Sequence, residues 1–94
     1  MRFLLCVVFA SASFAQTKPD ADKGNEVFDE QCAQCHNAYS EERKNGPGLQ
    51  FLFERLKEPA VRDKIDKGGN GMPAFKSTLS ADDKTNLIAY LKTL

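Results

Sequence analysis

The sequence predicts an all-α fold. Apolar side chains recur at the three-and-four spacing of a helix face in several separate stretches. Residues that start and stop helices bracket them, and no run alternates apolar with polar residues as a half-buried strand would. Ninety-four residues make one small domain at most, and no internal repeat is present.

The first stretch stands outside that domain. Met1-Arg2 is a minimal charged start, and Phe3 to Ala10 form an apolar run too short to span a bilayer. Ser13-Phe14-Ala15 fits a small-x-small cleavage rule, with Ala10-Ser11-Ala12 as a second option. Residues 1–15 therefore read as a secretory signal peptide, and residues 16–94 as the domain. An uncleaved anchor would need a longer run. Cys6, inside the apolar run and behind leucines, is poorly placed for lipidation. The expected location is periplasmic or otherwise exported, with no stable membrane insertion after the leader is cut.

Residues 16–20 are polar and read as a frayed lead-in. A helix is expected from Asp20 or just after, with Asp22 in its first turn, where a carboxylate favours the dipole. Gly24, Val27, Phe28, Gln31, Cys32 and Cys35 form one continuous stripe along it. Gly24 either lets another helix approach closely or marks a late helix start. Residues 37–48 read as a loop, in which Glu41 to Lys44 are a solvated charge cluster and Asn45-Gly46-Pro47-Gly48 is turn chemistry. Leu49, Leu52, Phe53 and Leu56 share a face of a short helix. Pro59 suits the first position of the next helix, which runs to about Lys67 with Val61 and Ile65 on one side. Gly68-Gly69-Asn70-Gly71 ends it and delivers Met72-Pro73 in an extended conformation. Ser80 then caps the last helix, with Asp83 at its third position and Leu87, Tyr90, Leu91 and Leu94 as its apolar stripe.

Charge excludes some partners. The chain carries 13 basic and 13 acidic residues, and loss of Arg2 with the leader leaves one acid in excess. There is no basic footprint for nucleic acid and no polybasic membrane patch.

The chemistry-bearing stretch is Cys32-Ala33-Gln34-Cys35-His36. C-x-x-C-H is the spacing of c-type haem attachment. Two thiols about one helical turn apart face the same way and can each form a thioether to one haem vinyl group, while the next histidine offers an imidazole to the iron. C-x-x-C alone would also suit a redox dithiol, half a zinc site or a disulfide. A covalently held haem c would add a large apolar body to a core that is otherwise marginal at this size. His36 is the only histidine, so a second imidazole is not available within the chain. Both cysteines of the domain would be used by the thioethers, and Met1 leaves with the leader. Met72, in a turn bounded by glycines and a proline, is then the best candidate for the second axial ligand. Lysine, Tyr39, Tyr90 and an open sixth position are the alternatives, and a methionine can also simply fill a core gap.

Together these residues resemble the small class I c-type cytochromes. The resemblance rests on Gly24-x-x-x-Phe28, Cys32-x-x-Cys35-His36, Gly46-Pro47-x-Leu49, Val61-Arg62-x-x-Ile65-x-x-Gly68, Gly71-Met72-Pro73-Ala74-Phe75 and Leu87-Ile88-x-Tyr90-Leu91, and covers nearly the whole domain. It implies the cytochrome c fold, three to four short helices round one haem, with the first and last helices crossing near Gly24 and Phe28 against Tyr90 and Leu91. It further implies that the Pro47 carbonyl accepts the His36 ring N–H and that Leu49 touches the haem. Trp is absent, and Arg62 and Lys76 are the basic residues to consider for the haem propionates.

The expected function is a soluble, monomeric one-electron carrier acting between redox protein partners, rather than an enzyme. A cytochrome subunit docked on a periplasmic dehydrogenase or oxidase is the alternative. A haem sensor or enzyme with a displaceable Met72 is a weaker one, because two filled axial positions suit electron transfer. A dithiol oxidoreductase would want a βαβ context around Cys32 and Cys35, and a closed structural zinc site would need a fourth ligand.

Overall fold

The computed structural model describes residues 18–94; the expected leader, residues 1–15 with Cys6, lies outside the described residues. Four helices follow in order: α1 (Ala21–Gln31), α2 (Leu52–Arg55), α3 (Glu58–Lys67) and α4 (Ala81–Leu91). Among the described residues there is no strand, only an isolated bridge between Gly69 and Met72.

Local chemistry explains each helix start. The Asp20 side chain accepts from the backbone N–H groups of Asp22 and Lys23, closing the exposed N-terminus of α1. Ser80 and Asp83 make a reciprocal capping box at α4, each side chain accepting from the other's backbone N–H. Ser80→Ala is expected to lower unfolding stability by about 1 kcal/mol, read as a shift of the denaturant midpoint with no change in visible absorbance; a spectral change would mean that Ser80 reaches further than its cap. Pro59 lies within the first two positions of α3, where its missing N–H costs nothing.

Two elements depart from the sequence reading. The α1 stripe stops short of Cys35: the Phe28 carbonyl accepts from both Cys32 N–H (2.8 Å) and Ala33 N–H (2.9 Å), the second a wider five-residue bond that ends the regular ladder. Cys32 is therefore the C-cap of α1, and Cys35 and His36 sit on a separate turn whose N–H groups both return to the Cys32 carbonyl at 3.1 and 3.0 Å. The face from Leu49 to Leu56 is broken at Phe51, which adopts a left-handed conformation (φ 61°), so α2 has only four residues. The Phe51 N–H donates to the Leu94 carbonyl at 3.2 Å, a long-range bond that helps to hold this conformation.

The core forms where α1 crosses α4. Gly24 is buried against α4, and a Cβ built there would lie 1.9 Å from the Asn86 carbonyl oxygen and 2.8 Å from the Tyr90 Cβ. Close helix approach, rather than a late helix start, is thus the role of this glycine. Phe28, Leu87, Ile88 and Tyr90 are each at most 5 % exposed and meet at the crossing or beside it. Ile88 lies outside the stripe of Leu87, Tyr90 and Leu91, because α4 is covered on more than one side: its Asn86 Oδ1 also accepts from the Asp20 N–H at 2.9 Å. Val61 and Ile65 of α3 join the same cluster. A Lys84–Asp66 ion pair ties α4 to α3. Glu58 at the start of α3 bridges Arg62 (2.9 Å) and Lys92 (2.6 Å), and those two cations hold its carboxyl below the usual range.

Candidate haem site

All four residues singled out by the sequence open onto one cleft. Cys32, Cys35, His36 and Met72 line a cavity of about 760 Å³ whose walls include Phe28, Leu49, Leu52, Val61, Ile65 and Leu87. That is the volume and wall chemistry of a cofactor pocket, which runs to about 300–1,000 Å³ with mostly apolar walls and a few placed polar groups. A smaller hollow of about 270 Å³ between Glu58, Arg62, Ile88 and Lys92 contains none of the four.

The α1 end and the turn after it place one half of the set. Neither cysteine is in a disulfide. Burial, and then the neighbouring Cys35, push the Cys32 thiol up to about 11, so it stays protonated and neutral in its apolar surroundings. The His36 Nδ1 lies 2.7 Å from the Pro47 carbonyl oxygen. With Nδ1–H donating there, Nε2 keeps the lone pair that a metal requires.

The loop after the motif does more than its composition suggested. Gly46 lies against the imidazole: a Cβ built there would be 2.5 Å from His36 Cε1 and 2.9 Å from Nδ1. The Gly46 N–H donates to the Cys35 carbonyl at 2.7 Å, and the Lys44 ammonium donates to the Ala33 carbonyl at 2.8 Å. Asn45 points its amide at the Cys35 sulfur, 3.8 Å away. Lys44, taken from sequence as part of a solvated cluster, is thus a brace for the C-x-x-C-H turn. A spacing of eleven residues gives no sequence signal for that contact.

A tight turn delivers Met72. Asn70 (φ 53°) and Gly71 (φ 90°) form its left-handed middle, and Gly69 and Met72 exchange both backbone hydrogen bonds at 2.9 and 3.0 Å. This is the geometry for which Asn-Gly is favoured in two-residue turns. Gly68 precedes it at φ 66°, and a Cβ there would meet the Met72 carbonyl at 2.3 Å. The backbone after α3 is thereby folded hard enough to bring the methionine to the cleft.

Arg62 and Lys76 do not line the cleft. Arg62 is engaged with Glu58 on α3, and the charged side chains on the cleft wall are Arg43 and Lys64. Neither of these two belongs to an ion pair among the described residues. No group of three or more His, Cys, Asp or Glu side chains converges among the described residues, which leaves a closed zinc centre without a ligand set.

Known proteins resemble this chain in sequence and fold. The family model described as cytochrome C oxidase, cbb3-type, subunit III, matches residues 19–91. A cytochrome c6 from Gracilaria tenuistipitata var. liui is 26% identical over 95% of this chain and 86% of its own length. A cytochrome c-550 from Bacillus subtilis (strain 168) is 34% identical over 61% of this chain and 48% of its own length. The solved cytochrome c6 from the diatom Phaeodactylum tricornutum superposes with a TM-score of 0.63 at 28% identity, covering 79% of this chain and 92% of that one. With a fold of short helices closing on an apolar cleft edged by C-x-x-C-H, the chain belongs to the c-type cytochrome family that this model describes, as a small class I member that carries electrons rather than catalysing a reaction.

Proposed function

We propose that one haem c occupies the cleft, attached through Cys32 and Cys35 and ligated by His36 and Met72, and that the protein is an exported one-electron carrier. The observation that carries this reading is the meeting of all four side chains in one apolar cavity of fitting volume. Each attachment adds a thiol S–H across a vinyl C=C, forming one C–S bond and placing the hydrogen on carbon. The group would supply a metal that gains and loses a single electron. What the protein contributes is position. Pro47 and Gly46 fix the imidazole, the Gly68–Gly71 turn fixes the thioether sulfur, and the apolar walls keep water away. His36 and Met72 would hold the metal, and such a donor pair would raise its potential and suit electron transfer rather than substrate binding. Arg43 and Lys64 are the cations available to the propionates. Residues 1–15 serve as the export signal, and no helix among the described residues is long and apolar enough to cross a membrane.

The chain expressed with its leader in a host that matures c-type cytochromes should gain the mass of one haem and show a low-spin spectrum. In Met72→Ala the weak ferric band of methionine–iron ligation should vanish while the covalent mass is kept. An unchanged spectrum would remove Met72 from the site, and a colourless folded product would end the haem reading. A second reading, a subunit docked on an oxidase, is favoured by the oxidase description of the matching family model. Co-purification with a larger enzyme would select it; a monomer by sedimentation, without such a partner, would select the free carrier.

A further inference from the structure

Of the asparagines Asn25, Asn37, Asn45, Asn70 and Asn86, only Asn45 and Asn70 are followed by glycine. Asparagine is chemically weakest before glycine, because no side chain there hinders attack of the next backbone nitrogen on the asparagine amide carbon. The two Asn-Gly pairs stand in opposite surroundings. The Gly46 N–H is held on the Cys35 carbonyl at 2.7 Å, the Gly46 backbone packs on the His36 ring, and the Asn45 amide points at the Cys35 sulfur, 3.8 Å away. Asn70 and Gly71 are both exposed, at the tip of the turn that delivers Met72. Among the described residues the Gly71 N–H has no backbone partner, and a Cβ built at Gly71 would meet nothing within 4 Å. Two bonds between Gly69 and Met72, at 2.9 and 3.0 Å, close the turn. Asn70 also lies on the cleft wall, where the charged side chains are the cations Arg43 and Lys64. The Lys64 ammonium is beside the turn, 3.3 Å from where a Gly69 Cβ would lie.

We propose that Asn70 is a site of spontaneous deamidation, and that the isoaspartate it yields releases Met72 from the cleft, while Asn45 stays intact. The Gly71 nitrogen attacks the side-chain carbonyl carbon of Asn70 and forms an N–C bond. The Cγ–Nδ2 bond breaks, and the amide leaves as ammonia with the proton of the Gly71 N–H. Water then opens the cyclic imide. Opening at the side-chain carbon gives aspartate; opening at the backbone carbon gives isoaspartate, whose chain runs on through Cβ and Cγ. Asparagine and water thus become an acid and ammonia, with no change of oxidation state. The attack needs the Asn70–Gly71 peptide to swing out of its left-handed turn, a local opening that comes most easily where few bonds must break. At Asn45 the same swing must break the Gly46 to Cys35 bond and drive the backbone past His36. The two products act differently. Aspartate keeps the path of the chain and sets a carboxylate beside Lys64, in a wall whose charged side chains are cations. Isoaspartate lengthens the backbone between Gly69 and Met72 by one methylene, so the paired bonds that close the turn do not both persist. The release of Met72, unlike the site itself, rests on the haem reading above.

The test ages the haem-loaded chain, its covalent mass verified first, in mildly alkaline buffer at physiological temperature. Peptide mass, chromatographic separation of aspartyl from isoaspartyl peptides, and the visible spectrum are followed together. The peptide carrying Asn70 is expected to gain the mass of an acid about tenfold faster than the one carrying Asn45. The weak ferric band of methionine–iron ligation should fade in step with the isoaspartyl fraction. Asn70→Gly has no amide to lose and suits a positive φ, so it should hold its own starting band through the same ageing. Asn70→Asp should keep the band from the outset but show a lower reduction potential than the wild type. Equal rates at Asn45 and Asn70, or a band that fades as fast in Asn70→Gly as in the wild type, would overturn the proposal. So would an Asn70→Asp protein that lacks the band from the start. A chain without haem is recognised by its mass before ageing, and the peptide map still decides between the two asparagines, so the two readings fail separately.

Discussion

Gly24→Ala is expected to destabilise the protein by about 2 kcal/mol or more, a large share of the roughly 5–15 kcal/mol that holds an ordinary domain together. In isolation the change would favour α1, since alanine is the better helix former by about 1 kcal/mol. The crossing reverses the sign. The new Cβ would be 1.9 Å from the Asn86 carbonyl oxygen and 2.5 Å from the Asn86 carbonyl carbon, both backbone atoms in the middle of α4 with no rotamer to yield. The helices must separate, and the packing of Phe28 against Tyr90 and Leu87 is loosened along with them. Glu26→Ala, an exposed change on the same helix, should stay within about 0.5 kcal/mol and serves as the control. Guanidinium unfolding followed by far-ultraviolet circular dichroism reads both. A Gly24→Ala protein as stable as the wild type would show that α1 and α4 do not meet at this residue.

Much of this was legible beforehand, for reasons that differ by residue. The helix starts at Asp20 and Ser80 are written in local chemistry, since a capping side chain bonds within three residues of itself. Gly24 was ambiguous from sequence because its role depends on Asn86 and Tyr90, some sixty residues away. The C-x-x-C-H run and Met72 could be singled out as candidates because few residue types ligate haem iron and composition left little choice, and the structure brings all of them to one cleft. Phe51 was unreadable: a left-handed phenylalanine has no local signature, and here it coincides with a backbone bond to Leu94. The cations of the cleft were misjudged for a similar reason. Arg62 faces Glu58 at the i, i−4 position, a pairing the sequence contains but does not rank against the cleft. Arg43 reaches the cleft from a loop without periodicity, so no spacing rule could aim it.

With haem c in the cleft as proposed, Gly46→Ala should change the electronic state of the haem while leaving its covalent attachment intact. The added methyl would lie 2.5, 2.9 and 3.0 Å from the Cε1, Nδ1 and Nε2 atoms of His36, on top of the imidazole. The ring can move away only by lengthening the 2.7 Å contact between Nδ1 and the Pro47 carbonyl, which fixes both its angle and its proton. A tilted imidazole is a weaker donor, so the ferric protein should show a high-spin fraction absent from the wild type, and its reduction potential should shift. Cys32 and Cys35 are untouched, and the mass of the product should still include one haem. Gly48→Ala separates this effect from simple crowding of the loop. Its Cβ would strike the Ser40 carbonyl oxygen at 2.2 Å and the Glu41 backbone, while no His36 atom is among its nearest neighbours. Both variants should lose stability through overpacking of about 1–3 kcal/mol, but only Gly46→Ala should alter the visible and paramagnetic resonance spectra. Identical spectra in the two variants would mean that the loop supports the fold alone and that Gly46 does not hold the imidazole in place.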